Sequence, residues 1–253
     1  MAETGRYLYA VTRAGTASSG GTGLRGRPLH AVEHRGLAAV VSDVDLDEFG
    51  EEGLRRHMEE LSWLEEVARG HDDVVRGLAG LGAVAPLRLA TICLDDQAVR
   101  ARLEEWHAEL EAALQRVEGR AEWSVKLYVD RPGEADRPPE PVSREPGAGA
   151  AYLRRKQTLT QRRQEASQQA ADLAEQLHAL AADHAVASRR LRAQDPRLTG
   201  HTGTMVLNGA YLVPADDESF AEALARFAGE HPELRVVVQG PWPPYSFASL
   251  EAL

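Results

Sequence analysis

The 253-residue chain contains a single cysteine, Cys93, so it cannot form an internal disulfide. Chains without disulfides are typical of reducing compartments. The opening residues MAETGRYLYAV also lack the basic segment and apolar stretch of a signal peptide. Together these two absences predict a cytoplasmic protein.

The chain has no run of about 18 apolar residues, which excludes a membrane-spanning helix. Its formal net charge is -10, with 29 basic and 39 acidic side chains. Nucleic acids and anionic membrane surfaces both attract clustered Lys and Arg, so neither is expected as a partner. Aromatic residues make up only 6% of the chain, so we expect cores built mainly from Leu, Val and Ala.

Short β-prone segments and two amphipathic helices alternate through the first half of the chain. The predicted strands lie at 7–11, 37–41 (LAAVV), 83–94 and 123–129, and the predicted helices at 54–81 and 96–117. The order β-β-α-β-α-β favours a ferredoxin-like α+β domain over residues 1–130. Pro86 interrupts the third strand, which indicates a sheet edge or a bulge there. LAAVV is uniformly apolar, so we expect it to be buried on both faces.

Residues 131–149 are rich in Pro and Gly and predict a linker. A second α+β domain is expected over residues 150–253, with a long helix at 150–192 followed by strand, helix and strand. That helix carries 8 basic and 4 acidic groups. It either packs on its own domain or presents a coiled-coil surface to a partner.

No motif in the chain argues for catalysis, so we expect no enzyme activity, cofactor, metal or small-molecule substrate. The Gly-rich stretch 15–26 lacks the Lys and Ser or Thr of a phosphate-binding loop. Cys93 lies in an apolar strand, where an inert thiol is expected. The triplet His71-Asp72-Asp73 is either an acid–base or metal site or a polar patch on a helix.

Two segments carry a resemblance to a known family. They are HDDVVRGLAGLGAVAPLRLATICLD at 71–95 and QGPWPPYSF at 239–247, and both resemble the GvpF/GvpL family of gas vesicle proteins. The matching positions of the first segment are Pro86, Leu87, Arg88 and Thr91, whereas Leu89 and Ala90 replace the Phe-Gly pair of the family pattern.

The resemblance implies a minor structural or accessory protein of gas vesicles, of GvpF or GvpL type. Such a protein binds the hydrophobic shell protein and other accessory proteins, assists vesicle nucleation and assembly, and keeps the shell protein from aggregating. It implies a place in the cytoplasm and on the vesicle, on the gas-facing side of the shell. It also implies two α+β domains, the first ferredoxin-like.

Candidate partner contacts within the resembling segments are Trp242, Tyr245 and Phe247, because aromatic anchors dominate interface energies. Arg88 and Thr91, which match the family pattern, are the other two candidates. The competing interpretation is that GPWPPYSF, residues 240–247, packs back onto its own domain as a plug. The competing function is a ligand-sensing or regulatory ferredoxin-like module.

Overall fold

The structure is a computed structural model that describes residues 3–16, 20–129, 148–194 and 203–248; of 148–153, 155 and 163 it describes only the backbone. The chain divides into two compact units. The first comprises Met1–Glu122 together with Gly240–Leu253, and the second comprises Trp123–Gln239. Helices and antiparallel sheet pairs occur in the chain, which confirms the predicted α+β class.

The first unit is built on one antiparallel sheet with helices around it. Its strands are β1 (Thr4–Arg13), β2 (Leu29–His34), β3 (Leu37–Asp45), β4 (Val84–Pro86) and β5 (Ile92–Cys93). Its helices are α1 (Leu46–Phe49), α2 (Glu51–His57), α3 (Leu61–Ala79), α4 (Asp96–Glu105) and α5 (His107–Val117), with a 3-10 turn at Leu24–Gly26. The strand order is β2-β3-β1-β4, and β5 also pairs with β1.

The centre of this sheet is buried on both faces, as predicted for LAAVV. All five residues of that segment are less than 4% exposed, and Tyr7 to Val11 of β1 are equally inaccessible. The two strands pair in a register that places Tyr7 opposite Ser42 and Val11 opposite Ala39. Continuous apolar strands of this kind require a covered face on each side.

The predicted edge at Pro86 is confirmed. β4 and β5 both pair with β1 at the edge of the sheet, separated by residues 87–91. Two backbone hydrogen bonds tie this interruption to β1: Leu87 N donates to Tyr9 O at 2.9 Å, and Leu8 N donates to Thr91 O at 2.9 Å. Proline has no N–H to donate, so an edge position suits it.

The second unit contains the other sheet. Its strands are β6 (Arg120–Val129), β7 (Ala187–Arg190), β8 (Thr204–Pro214) and β9 (Arg235–Trp242), in the order β7-β8-β6-β9. Its helices are α6 (Ala148–Asp183) and α7 (Ser219–Glu230). A core that includes Val125, Leu177, Tyr211 and Phe220 joins these elements.

The long helix is shorter than predicted. α6 ends at Asp183, and Ala187–Arg190 form a strand, although residues up to 192 were expected to be helical. The cause is non-local, because Ala187 to Arg190 pair with Leu212 to Gly209 of β8. The hydrogen bonds between these two strands outweigh the weak helical propensity of residues 187–190. Among the described side chains of α6, Ala170, Ala174, Leu177 and Ala181 are buried, so its C-terminal part packs on its own unit.

The ferredoxin-like detail of the first domain is not confirmed. The expected fourth strand, 123–129, lies in β6, which belongs to the second sheet. Its side chains Val125 and Leu127 pack into the core of the second unit. β2 occupies a stretch for which no strand was predicted. The alternation of apolar and polar residues predicted a strand at 123–129. Such a pattern does not determine which sheet the strand joins.

The unit boundaries also differ from the predicted domains, because residues 240–253 belong to the first unit. The short helix α8 (Tyr245–Ala248) lies in this returning segment. Most of the predicted linker, 131–147, lies outside the described residues. Within the described ranges, no helix is both long enough and apolar enough to cross a bilayer.

Candidate partner-binding site

Helix α3 supplies one wall of the candidate site. Its buried residues Trp63, Val67, His71, Val74, Val75 and Leu78 recur at helical spacing. The predicted helix 54–81 is broken at residues 58–60, and Leu61, which begins the second of the two helices, is 82% exposed.

His71 points its imidazole into the core of the first unit and is 4% exposed. Its Nδ1 lies 3.0 Å from the Tyr7 hydroxyl oxygen. That oxygen accepts a hydrogen bond from Ala90 N at 3.2 Å, so the Tyr7 proton is free to point at Nδ1. The remaining proton of a neutral imidazole then resides on Nε2.

Burial lowers the pKa of His71 to about 4, while the Asp72 carboxylate and the Leu87 carbonyl act in the opposite direction. The imidazole is therefore neutral near pH 7. No hydrogen bond of normal geometry reaches Nε2, which is a buried donor without a partner among the described residues.

Asp72, the next residue, joins α3 to the C-terminal segment. Its Oδ2 pairs with Arg76 Nε at 2.5 Å, and its Oδ1 accepts a hydrogen bond from the Tyr245 hydroxyl at 3.1 Å. The Arg76 guanidinium lies 4.3 Å from the ring centroid of Trp242. Burial, followed by the charge of Asp72, raises the pKa of Tyr245, so its hydroxyl keeps its proton and donates.

Glu122 holds the next turn of the same segment. Its carboxylate accepts from Ser246 N at 2.7 Å and from the Ser246 hydroxyl at 2.6 Å. Arg116 Nη1 donates to the Phe247 carbonyl at 2.9 Å, and the Phe247 side chain is only 3% exposed. The structure therefore places Tyr245 to Phe247 against the first unit, and not on the C-terminal domain onto which the plug interpretation had folded the segment.

The turn after β4 forms the opposite wall. Thr91 closes it by donating from N at 3.2 Å and from Oγ1 at 2.7 Å to the carbonyl of Arg88. Ala90 adopts a positive φ of 61° within this turn, a conformation that favours glycine. A Gly here, as in the pattern that the sequence resembles, would suit this turn. The Arg88 side chain is exposed and makes no ion pair or hydrogen bond with a described residue.

Between these walls lies a cavity of about 450 Å³, named here the His71 cleft. Its lining residues come from three parts of the sequence: Ala68, His71, Asp72, Pro86, Leu87, Arg88, Leu89 and Tyr245. Of the five predicted contact residues, Arg88 and Tyr245 line it. Thr91 shapes its turn, Trp242 contacts Arg76 at its side, and Phe247 is buried away from it.

Sequence reasoning missed three residues that build this region. His71 and Asp72 were noted only as an acid–base or metal site or a polar patch, although Arg76 at i+4 from Asp72 was a readable signal of an ion pair. The sequence around Glu122 did not indicate its role, because its partner Ser246 lies 124 residues away in the chain.

The groups at the cleft are suited to recognition. They comprise a carboxylate already engaged by Arg76 and Tyr245, one exposed guanidinium and apolar walls. Across the described residues, no three His, Cys, Asp or Glu side chains are grouped so as to hold a metal ion. Burial also raises the pKa of the Cys93 thiol, which disfavours its reactive thiolate form.

Comparison with known proteins agrees with this architecture. The family model described as gas vesicle synthesis protein GvpL/GvpF matches residues 5–249. Gas vesicle protein L of Streptomyces sp. (strain CB03234) is 40% identical, with 97% of this chain and 93% of that protein covered. Gas vesicle protein F of the same strain is 29% identical, with 95% and 98% covered. The crystal structure of GvpF from Anabaena sp. PCC7120 is similar with a TM-score of 0.70 at 17% identity, with 98% and 99% covered.

The fold and the cleft thus define an α+β protein whose first unit is completed by its own C-terminal segment. The chain belongs to the GvpL/GvpF family of gas vesicle proteins. Its role is therefore related to gas vesicles.

Proposed function

We propose that this protein binds the hydrophobic shell protein of gas vesicles and assists vesicle nucleation and assembly, acting by binding and without catalysis. The observation that carries the proposal is the family match across residues 5–249. Other gas vesicle accessory proteins are its further partners. Its place is first the cytoplasm and then the vesicle, on the gas-facing side of the shell.

Elementary physical chemistry supports such a role. A shell protein that buries its apolar surface only after polymerising exposes aggregation-prone surface beforehand. A partner with a net charge of -10 repels its own copies and raises the solubility of a complex. Covering apolar surface until the shell grows requires a binding site and no reacting groups.

The direct test mixes the purified chain with freshly diluted shell protein. Association is measured by light scattering and sedimentation, and the soluble fraction of shell protein is followed over time. We expect a complex and a slower loss of soluble shell protein. An equally acidic, unrelated protein is the control for charge alone. Absence of a complex together with an unchanged rate of aggregation contradicts the proposal.

The alternative is a ligand-sensing module, and the His71 cleft is the observation in its favour, since concave apolar sites with a few polar groups bind small molecules. A thermal-shift screen of metabolites distinguishes the two. A ligand that stabilises the chain, and whose effect is lost when Ala68→Trp fills the cleft, supports sensing over assembly.

A further inference from the structure

We propose that this chain associates with further copies of itself through two surfaces of opposite charge. One surface is the first half of α6, residues 154–169, named here the basic arm. The other comprises α2 and the start of α3, residues 51–66, named here the acidic junction. The arm of one copy binds the junction of the next. Such self-association is separate from shell-protein binding and goes beyond the proposed function.

The basic arm is a helical segment that has no buried side chain among those the structure describes. Its described side chains are exposed, apart from the half-buried Leu159, and the described buried positions of α6 begin only at Ala170. The arm is about 24 Å long, at 1.5 Å per residue. Helices in proteins owe most of their stability to tertiary packing, so a contact with another surface would stabilise the arm.

One face of the arm combines positive charge with an apolar side chain. Residues 154–169 contain five basic residues and one acidic residue. Lys156 and Arg162 lie three residues before and after Leu159, which places them about 60° to either side of it around the helix. Ala166, two turns further on, lies on the same face. Neither Lys156 nor Arg162 forms an ion pair within the described ranges, so both charges are available to a partner.

The acidic junction has the complementary composition. Residues 51–66 contain six acidic residues and two arginines. Two large apolar side chains lie where its helices meet, with Met58 51% exposed and Leu61 82% exposed. Glu52 and Glu59 are exposed and form no ion pair with any residue that the structure describes. Exposed apolar side chains beside unpaired charges are typical of a protein interaction surface.

Charge determines which partner suits the arm. Pairing of one arm with another would bring like charges together, which is unfavourable. The net charge of -10 on the whole chain opposes binding to nucleic acids and anionic membranes. The acidic junction of a second copy, in contrast, offers carboxylates to Lys156 and Arg162 and apolar side chains to Leu159. Because the two surfaces differ, association continues from copy to copy into a ring or an open chain.

The test follows sedimentation velocity of the full chain over a wide range of concentrations. It is run at low salt and at about 1 M salt, where the Debye length is about 3 Å. The arm variant carries Lys156→Glu and Arg162→Glu, and the junction variant carries Glu52→Lys and Glu59→Lys.

Two control variants make the same changes of charge at exposed positions outside both surfaces. Arg100→Glu with Arg226→Glu matches the arm variant, and Glu222→Lys with Glu230→Lys matches the junction variant. Circular dichroism spectra verify that all variants are folded.

We expect wild type to associate at low salt and to dissociate at high salt. The arm variant and the junction variant should each weaken association about tenfold or more, with each control within about twofold of wild type. An equimolar mixture of the arm and junction variants should recover association, because each supplies the surface that the other has lost.

A wild-type chain that sediments as a monomer at every concentration overturns the proposal. A mixture that fails to recover association shows that arm and junction do not bind each other, and overturns it as well. Titrations with a labelled oligonucleotide and with anionic vesicles test the other classes of partner. If wild type binds either one, the arm variant does not, and self-association is unaffected in that variant, the arm serves that partner instead.

Discussion

The Tyr245 hydroxyl donates a hydrogen bond to Asp72, which lies 173 residues earlier in the chain. The same carboxylate is paired with Arg76, whose guanidinium stacks on Trp242. One carboxylate of α3 thus organises two of the three aromatic side chains in the returning segment. Through Tyr245, it also helps to shape the cleft.

The first prediction concerns that hydrogen bond. Tyr245→Phe keeps the ring in the core and removes the hydroxyl, so we expect a loss of about 1 kcal/mol in the free energy of unfolding. Urea titration followed by tryptophan fluorescence measures it, with Trp242 as a nearby reporter. In an Asp72→Asn background the same change should cost less, because the charged acceptor is already gone. Equal losses in both backgrounds would show that the two residues do not interact.

The second prediction concerns the turn between Arg88 and Thr91. Ala90 holds a positive φ of 61°, which costs a residue with a β-carbon roughly 1–2 kcal/mol. Ala90→Gly relieves that cost but adds entropy to the unfolded chain, so we expect a net stabilisation of up to about 1 kcal/mol. A higher urea midpoint at constant slope is the measurement. The control Ala101→Gly, inside α4, should change stability in the opposite direction.

The third prediction distinguishes a structural role of Phe247 from a partner-binding one. Because its side chain is 3% exposed, Phe247→Ala should destabilise the chain by about 3–5 kcal/mol. Trp242→Ala, which removes the contact with Arg76 at a half-buried position, should cost less, about 1 kcal/mol. Thermal and urea unfolding give both values. A Phe247→Ala chain as stable as wild type but unable to bind partners would instead make Phe247 an interface anchor.

The fourth prediction concerns acid sensitivity. Burial lowers the pKa of His71 from 6.5 to about 4 in the folded chain. Between these values the unfolded state binds a proton that the folded state does not, so stability falls as the pH drops from about 6.5 towards 4. The loss attributable to this one group approaches roughly 3 kcal/mol at the acid end.

Unfolding free energies measured at intervals from pH 7 to pH 4.5 test this. His71→Gln should be less stable at neutral pH and should lose less stability on acidification than wild type does. An unchanged slope in His71→Gln would assign the acid sensitivity to other groups.

Local patterns predicted those parts of the fold whose causes are local. LAAVV was recognised as a doubly covered strand because its apolar residues are continuous, and Pro86 was placed at an edge because proline lacks an N–H. The strand at 123–129 was recognised as a strand but assigned to the wrong sheet. β7 was taken for helix, because its pairing with β8 depends on residues about twenty positions away.

The candidate site was predictable only in part, for the same reason. Arg88 and Tyr245 were selected from separate segments, and the structure brings them to one cleft. The unpartnered nitrogen of His71 follows from the positions of Tyr7 and Ala90, which no local spacing specifies. Their roles in partner binding stay predictions.

The return of Gly240–Leu253 to the first unit has a consequence for synthesis. Glu122 and Asp72 leave the ribosome before the second unit is made, whereas Ser246 and Tyr245, which bind them, follow only after it. Translation of the second unit therefore separates the start of the first unit from its completion. A chain stopped at Trp242, the end of β9, would keep the strands of the second sheet, but Glu122 would lose its contacts with Ser246 and Asp72 its contact with Tyr245.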